Sequence, residues 1–169
     1  MNSTNIRKLT ITAIFAAFAV VGSLINFPVL GSKCSPVQAL VNILCAIFVG
    51  PWYGLACAFI ASFLRNILGI GSLLAFPGSM FGVFLASILY KYINKLPVVF
   101  IGEVIGTGII GAIVSAPIAI FFMGKDAALF GFVVPFLISS GAGTIIAIVV
   151  VVALKKAGLL DKFKRQINC

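Results

Sequence analysis

The chain has 169 residues, 62% of them hydrophobic and only 9% charged, against about 25% charged in a typical soluble domain. A water-soluble fold of this composition would have no surface to offer to water, so the chain reads as an integral membrane protein forming a single domain. Its formal net charge of +9 is spread over the ends of apolar segments rather than gathered in one patch, which argues against a nucleic-acid binder and fits a membrane pattern.

Arg7-Lys8 and the apolar run after it have the outline of a signal peptide. The run outlasts the roughly 7–15 apolar residues of such a segment, however, and no small-residue cleavage site ends it. It is read instead as the first of six membrane spans. Breaking the chain at its Gly/Pro and charge clusters places these at 9–27, 36–49, 53–68, 74–92, 98–122 and 129–154. A span needs roughly 20 mostly apolar residues, and the second and third are short. Gly50-Pro51-Trp52 between them suits a tight turn joining two helices better than a kink in one.

Six spans put both termini on one side. Arg7, Lys8, Lys91, Lys95, Lys155, Lys156, Lys162, Lys164 and Arg165 then share a face, against Lys33, Arg65 and Lys125 on the other. The positive-inside rule makes the first face cytoplasmic; five spans would divide the basic clusters across the membrane. The loops 28–35, 69–73 and 123–128 fall outside, and Trp52, Tyr53, Tyr90 and Tyr92 fall at the inner interface as anchors. Small residues recur at spacing four in Ala13/Ala17, Gly78/Gly82 and Gly102/Gly106, a pattern that lets helix backbones approach closely.

Polar residues inside the spans mark the expected site. The stretch from Arg65 to Met80 carries an arginine, an asparagine, glycines, serines and a proline between two apolar segments. Irregular backbone at membrane depth is tolerated only where protein buries it or it lines a cavity. The stretch therefore reads either as one wall of a polar pocket or as an external loop whose Arg65 snorkels to the headgroups. Gln38 and Asn42 lie one turn apart on the second span and share a face. With Ser79, Ser115, Ser139 and Ser140 they belong to the outer half of the bundle, and together with Arg65, Asn66, Phe76 and Phe136 they outline an apolar pocket with a few orienting hydrogen-bonders. Each serine taken singly can instead bond back to its own helix. Glu103, with Thr107 one turn deeper, is the single acid within a span. A carboxylate at such a position is a functional hypothesis by default, for a proton, a cation or a ligand, with pairing at a helix end as the alternative. Counted along its helix, it lies towards the cytoplasm, away from an outer pocket.

The chain has no histidine, and Cys34, Cys45, Cys57 and Cys169 are scattered, so neither a metal site nor a disulfide framework is expected. There are no paired carboxylates, no nucleophile–base set and no Walker A sequence. An enzyme is not expected, and uphill transport would draw its energy from an ion gradient or a partner ATPase.

Six segments taken together resemble the ThiW family. They are Lys33-Cys34-Ser35-Pro36-Val37-Gln38, Gly50-Pro51-Trp52-Tyr53, Leu64-Arg65-Asn66, the run from Leu74 to Met80, the run from Gly102 to Gly108, and Pro135-Phe136-Leu137-Ile138-Ser139-Ser140. The resemblance implies an all-α, six-helix S component of an energy-coupling factor (ECF) transporter in the bacterial cytoplasmic membrane, with both termini cytoplasmic. It also implies capture of hydroxyethylthiazole, the thiazole precursor of thiamine, and reorientation on a T protein driven by two ATPase subunits. No cofactor is implied. Ala13 and Ala17 match the small-residue pattern with which S components meet the T protein. The residues agree with a small neutral heteroaromatic alcohol, its ring against Phe76 or Phe136 and its hydroxyl on Gln38, Asn42 or a serine. Lys33 and Arg65 leave a phosphorylated ligand open. The alternatives are an S component for another small metabolite, thiamine included, or a self-sufficient channel or ion-coupled carrier.

Overall fold

A computed structural model describes residues 3–29, 32–124 and 131–168. The chain runs through α1 (Ser3–Gly22), a hairpin of β1 (Phe27–Val29) and β2 (Ser32–Cys34), then α2 (Pro36–Phe48), α3 (Pro51–Ile67) and α4 (Ala75–Ile93). It continues through α5 (Leu96–Ile105), a π-helical segment (Gly106–Gly111), α6 (Ala112–Met123), α7 (Val133–Lys156) and α8 (Leu159–Asn168). Among the described residues, four stretches are long and apolar enough to cross a membrane: Thr4–Gly22, Ala75–Ile93, Leu96–Phe122 and Val133–Lys156.

The remaining two expected spans are shorter. α2 has 13 residues, about 20 Å of helix, which is less than the ~30 Å of a bilayer core. It can be short because it does not face lipid: of its residues, all but Val37 are buried, and a helix apolar all round belongs inside a bundle. α2 packs against α1, α4 and α7, and α4 packs in turn against α3, α5 and the π segment. Between α2 and α3 the backbone turns at Gly50, whose φ of +83° suits a residue without Cβ, and Pro51 opens α3 with its fixed φ. The tight turn expected at Gly50-Pro51-Trp52 is what the structure shows.

Two expected spans and one expected loop need correction. The first ends at Gly22, not Phe27, and begins as early as Ser3, because Arg7 and Lys8 continue the helix that hydropathy alone cannot follow into polar residues. The outer loop 28–35 contains a short antiparallel ladder, Phe27 opposite Cys34, so the fold is helical apart from this hairpin. The fifth expected span, 98–122, is one continuous path from Leu96 to Met123 that passes through the π segment. The sixth starts at Val133, and its expected first residues, 129–130, lie outside the described residues.

α8 was not expected as an element. Leu160 and Ile167 are buried, and the Phe163 ring meets Phe48 edge-on at 6.5 Å, while Asp161, Lys162 and Arg165 stay exposed. Arg7 Nη1 donates to the Gln166 carbonyl at 2.8 Å, and Lys164 lies over the Tyr90 ring, 4.6 Å from its centre. α8 therefore lies across the end of the bundle that holds the start of α1. Trp52 and Tyr92, expected as interfacial anchors at that end, are both strongly exposed.

Candidate functional site: a polar cavity at the other end of the bundle

Opposite α8, the helix ends enclose a cavity of about 60 Å³. That is far below the ~300–1,000 Å³ of sites for drug-sized ligands, so it suits a small solute. Ser35, Gln38 and Ala39 line it from the start of α2, Arg65 from the end of α3, and Ser72, Leu74, Ala75, Gly78 and Ser79 from the α3–α4 turn and α4. Glu103 and Thr107 line it from α5 and the π segment, and Phe136, Ser139 and Ser140 from α7. The stretch beginning at Arg65 is thus a cavity wall.

Arg65 is 3% exposed, which removes the headgroup-snorkelling alternative. Its position is set by how α3 ends. Gly69 takes φ +71°, Gly69 N–H donates to the Asn66 carbonyl and Ile70 N–H to that of Arg65, the paired bonds of a Schellman ending. Asn66 Nδ2 donates to the Ser62 carbonyl at 2.8 Å and the Ser72 carbonyl at 3.1 Å, fastening the turn.

From Arg65 a single line of side chains runs to Glu103. Arg65 Nη1 donates to Gln38 Oε1 at 3.0 Å, and Gln38 Nε2 donates to Asn42 Oδ1 at 3.2 Å. Asn42 Nδ2 donates to Glu103 Oε1 at 3.0 Å and to the Ser79 carbonyl at 3.3 Å. Thr107 Oγ1 donates to the same Glu103 Oε1 at 2.8 Å. A guanidinium can only donate, so Gln38 must turn its oxygen to Arg65, and each amide along the line is then oriented in turn. The line ends, as it must, on an acceptor. Three side chains of the cavity wall each hold a buried polar atom with no partner among the described residues: Ser35 Oγ, Arg65 Nε and Glu103 Oε2.

The expected site residues divide clearly. Gln38, Arg65, Ser79, Phe136, Ser139, Ser140, Glu103 and Thr107 come together on the cavity. Asn42 lies just behind it, joining Gln38 to Glu103. Asn66 serves the turn, and Ser115 Oγ donates to the Gly111 carbonyl at 2.6 Å, away from the lining. The Phe76 ring packs on Phe59, a half-exposed side chain on the outside of α3. Lys33 is placed as backbone in β2, and its side chain lies outside the described residues.

Glu103 overturns the expectation drawn from depth. Counting residues along one helix assumed spans of equal length, whereas the short α2 brings Asn42, at its middle, level with Glu103. Ser35 and Ala39 were missed, while Ser72, Leu74, Ala75 and Gly78 fall in the stretch expected as a wall without having been singled out. Gly78 carried a signal in its spacing to Gly82: the Phe136 ring lies so close over it that a Cβ would be 3.2 Å from Cε2.

The other small-residue pairs separate as well. A Cβ on Gly102 or Gly106 would meet the α4 backbone at Ala86 and Phe81, so this pair is internal packing. Ala13 and Ala17 are exposed on α1, beside Ile14 and Phe18, and do no packing within the bundle.

No curated protein and no solved structure matches the chain. The family model described as thiamine-precursor transporter protein (ThiW) matches residues 9–157. ThiW is a family of transporters rather than enzymes, and the apolar helices and buried polar cavity are what a membrane protein handling a small molecule requires. The chain belongs to the ThiW family of thiamine-precursor transporters.

Proposed function

We propose that the chain is the substrate-capture (S) component of an ECF-type importer, with hydroxyethylthiazole as its ligand and a T protein and two ATPase subunits as its partners. The observation that carries this reading is the cavity itself, small and polar, at one end of an apolar bundle. The basic residues collect at the opposite end, around Arg7, Lys8, Lys91, Lys95 and α8, so the positive-inside rule turns the cavity outward and both termini inward. The six-span arrangement counts α2 and α3 as short spans buried among the four long helices.

The ligand's ring would lie against Phe136, above the bare Gly78, and its polar groups would meet the side chains from Gln38 to Glu103. Ala13 and Ala17, exposed on α1, would form the close-approach surface for the T protein.

Glu103, fully buried with one free oxygen, favours a second reading, a carrier coupled to protons or cations. Reconstitution separates the two. The purified chain alone in liposomes should not accumulate labelled hydroxyethylthiazole, and adding a T protein, both ATPases and ATP should produce uptake. Accumulation by the chain alone under an ion gradient would overturn the S-component reading.

A further inference from the structure

We propose that the end of the bundle opposite the polar cavity holds a seat for an anionic phospholipid, with its phosphate among Lys8, Lys91 and Lys164 and an acyl chain in the apolar groove beside α8. The proposal is independent of which solute the polar cavity takes.

The seat is a pocket of about 370 Å³ between the first turns of α1, the α2–α3 turn and the last turns of α4. Lys8 lines it from α1, Trp52 and Tyr53 from the start of α3, and Tyr90 and Lys91 from α4. Lys164 of α8 donates to the Tyr90 hydroxyl and lies over its ring. Three helices far apart in sequence thus bring one cation each to the same place. Lys8 is half-buried, and neither its side chain nor that of Lys91 has a hydrogen-bond or ion-pair partner among the described residues. Asp161, exposed on α8, is the one acid at this end among the described residues. Positive charge gathered in a concave site without a matching counter-charge attracts an anion.

Two features make that anion a lipid rather than a free phosphate. Trp52 is strongly exposed and, with Tyr53, marks the depth of the headgroups, where basic pockets between helices recognise anionic lipid headgroups. Phe48 lines the pocket and also lines a groove of about 320 Å³ between α1, α2, α7 and α8. Every side chain of that groove is apolar, Ile11, Phe15, Leu44 and Phe163 among them. Because the two share the Phe48 wall, one amphipathic molecule can set its phosphate on the lysines and a chain in the groove. A free phosphate would leave the groove unfilled.

The test is native mass spectrometry of the purified, detergent-solubilised chain titrated with phosphatidylglycerol and phosphatidylcholine of identical acyl chains. Phosphatidylglycerol should bind about tenfold tighter or more. The double variant Lys8→Gln/Lys91→Gln should lose about tenfold or more of that preference, since each lysine near an anionic headgroup is worth about fivefold. Lys155→Gln/Lys156→Gln removes the same charge from exposed positions outside the pocket and should keep the preference within about threefold. Glycerol 3-phosphate, which has the phosphate and no chain, should not displace the lipid at equal concentration. Equal binding of the two lipids, equal losses in the two double variants, or displacement by glycerol 3-phosphate would each overturn the proposal. Should the first double variant melt as an unfolded protein, Lys91→Gln alone carries the comparison, with about a fivefold loss expected.

Discussion

Asn42 shows how one side chain can serve a site it does not line. It takes a hydrogen bond from Gln38 and gives two, to Glu103 and to the Ser79 carbonyl, so it ties α2 to α4 and α5. Asn42→Leu keeps the branched shape and removes every bond. It should lower stability by about 1–3 kcal/mol and weaken ligand binding, read by thermal melting and titration; an unchanged melting temperature and affinity would refute the coupling. Cys34 makes a contrasting case at the cavity rim. Its Sγ donates to the Pro135 carbonyl at 3.2 Å, and burial pushes the thiol up, with a hydrogen bond from Ser139 pulling the other way. Because the side chain is buried, maleimide should leave it unmodified in folded Cys169→Ser protein, as mass spectrometry would show. At this scale Gln38, Arg65 and the Ser139-Ser140 pair were legible in the sequence, because polar groups are too costly in lipid to be there without purpose. Asn66 and Ser115 were misjudged for the same reason turned round: their purpose is to satisfy backbone carbonyls. Phe76 was misjudged because hydropathy does not say which way a ring at a helix start points.

α4 and the path from α5 to α6 form a close-packed seam, and the site hangs on it. Gly82 lies directly beneath Glu103 and Thr107, and Gly106 and Gly111 sit against Phe81 and Gly78 of α4. At Gly106 an added Cβ would lie 2.6 Å from the Phe81 carbonyl oxygen, a backbone atom with nowhere to go. Gly106→Ala should therefore cost about 1–3 kcal/mol through overpacking. Gly141, on α7, has nothing within 4 Å of its Cβ position, so Gly141→Ala should be neutral or raise stability by up to about 1 kcal/mol through helix propensity. Thermal melts of the two variants decide, and equal losses would refute the seam. The glycine spacings made this packing legible from the start, but the π segment was not, since an extra residue in a helical turn leaves no periodic mark. α8 was overlooked although Leu160, Phe163 and Ile167 fall at helical spacing, because a search for membrane spans passes over a charged helix.

For the molecule as a whole, the two ends are chemically distinct: charged and aromatic around α8, closed and polar around the cavity. A C-terminal tag should accordingly be protease-resistant in right-side-out vesicles and cleaved in inside-out ones; the reverse pattern would turn the cavity inward. That the chain is a bundle built on long apolar helices, with its bases collected at one end, was readable because lipid imposes both on any chain. The depth of the cavity was not, since it depends on α2 being only 13 residues long and fully enclosed, which emerges only when the helices are packed. The measurement that bears most directly on the whole account is titration of hydroxyethylthiazole into the folded, solubilised chain, with thiamine as the comparison. Submicromolar affinity for the alcohol, with little binding of thiamine, is the predicted result. Thiamine binding as tightly as the alcohol, or no heat from either, would contradict it.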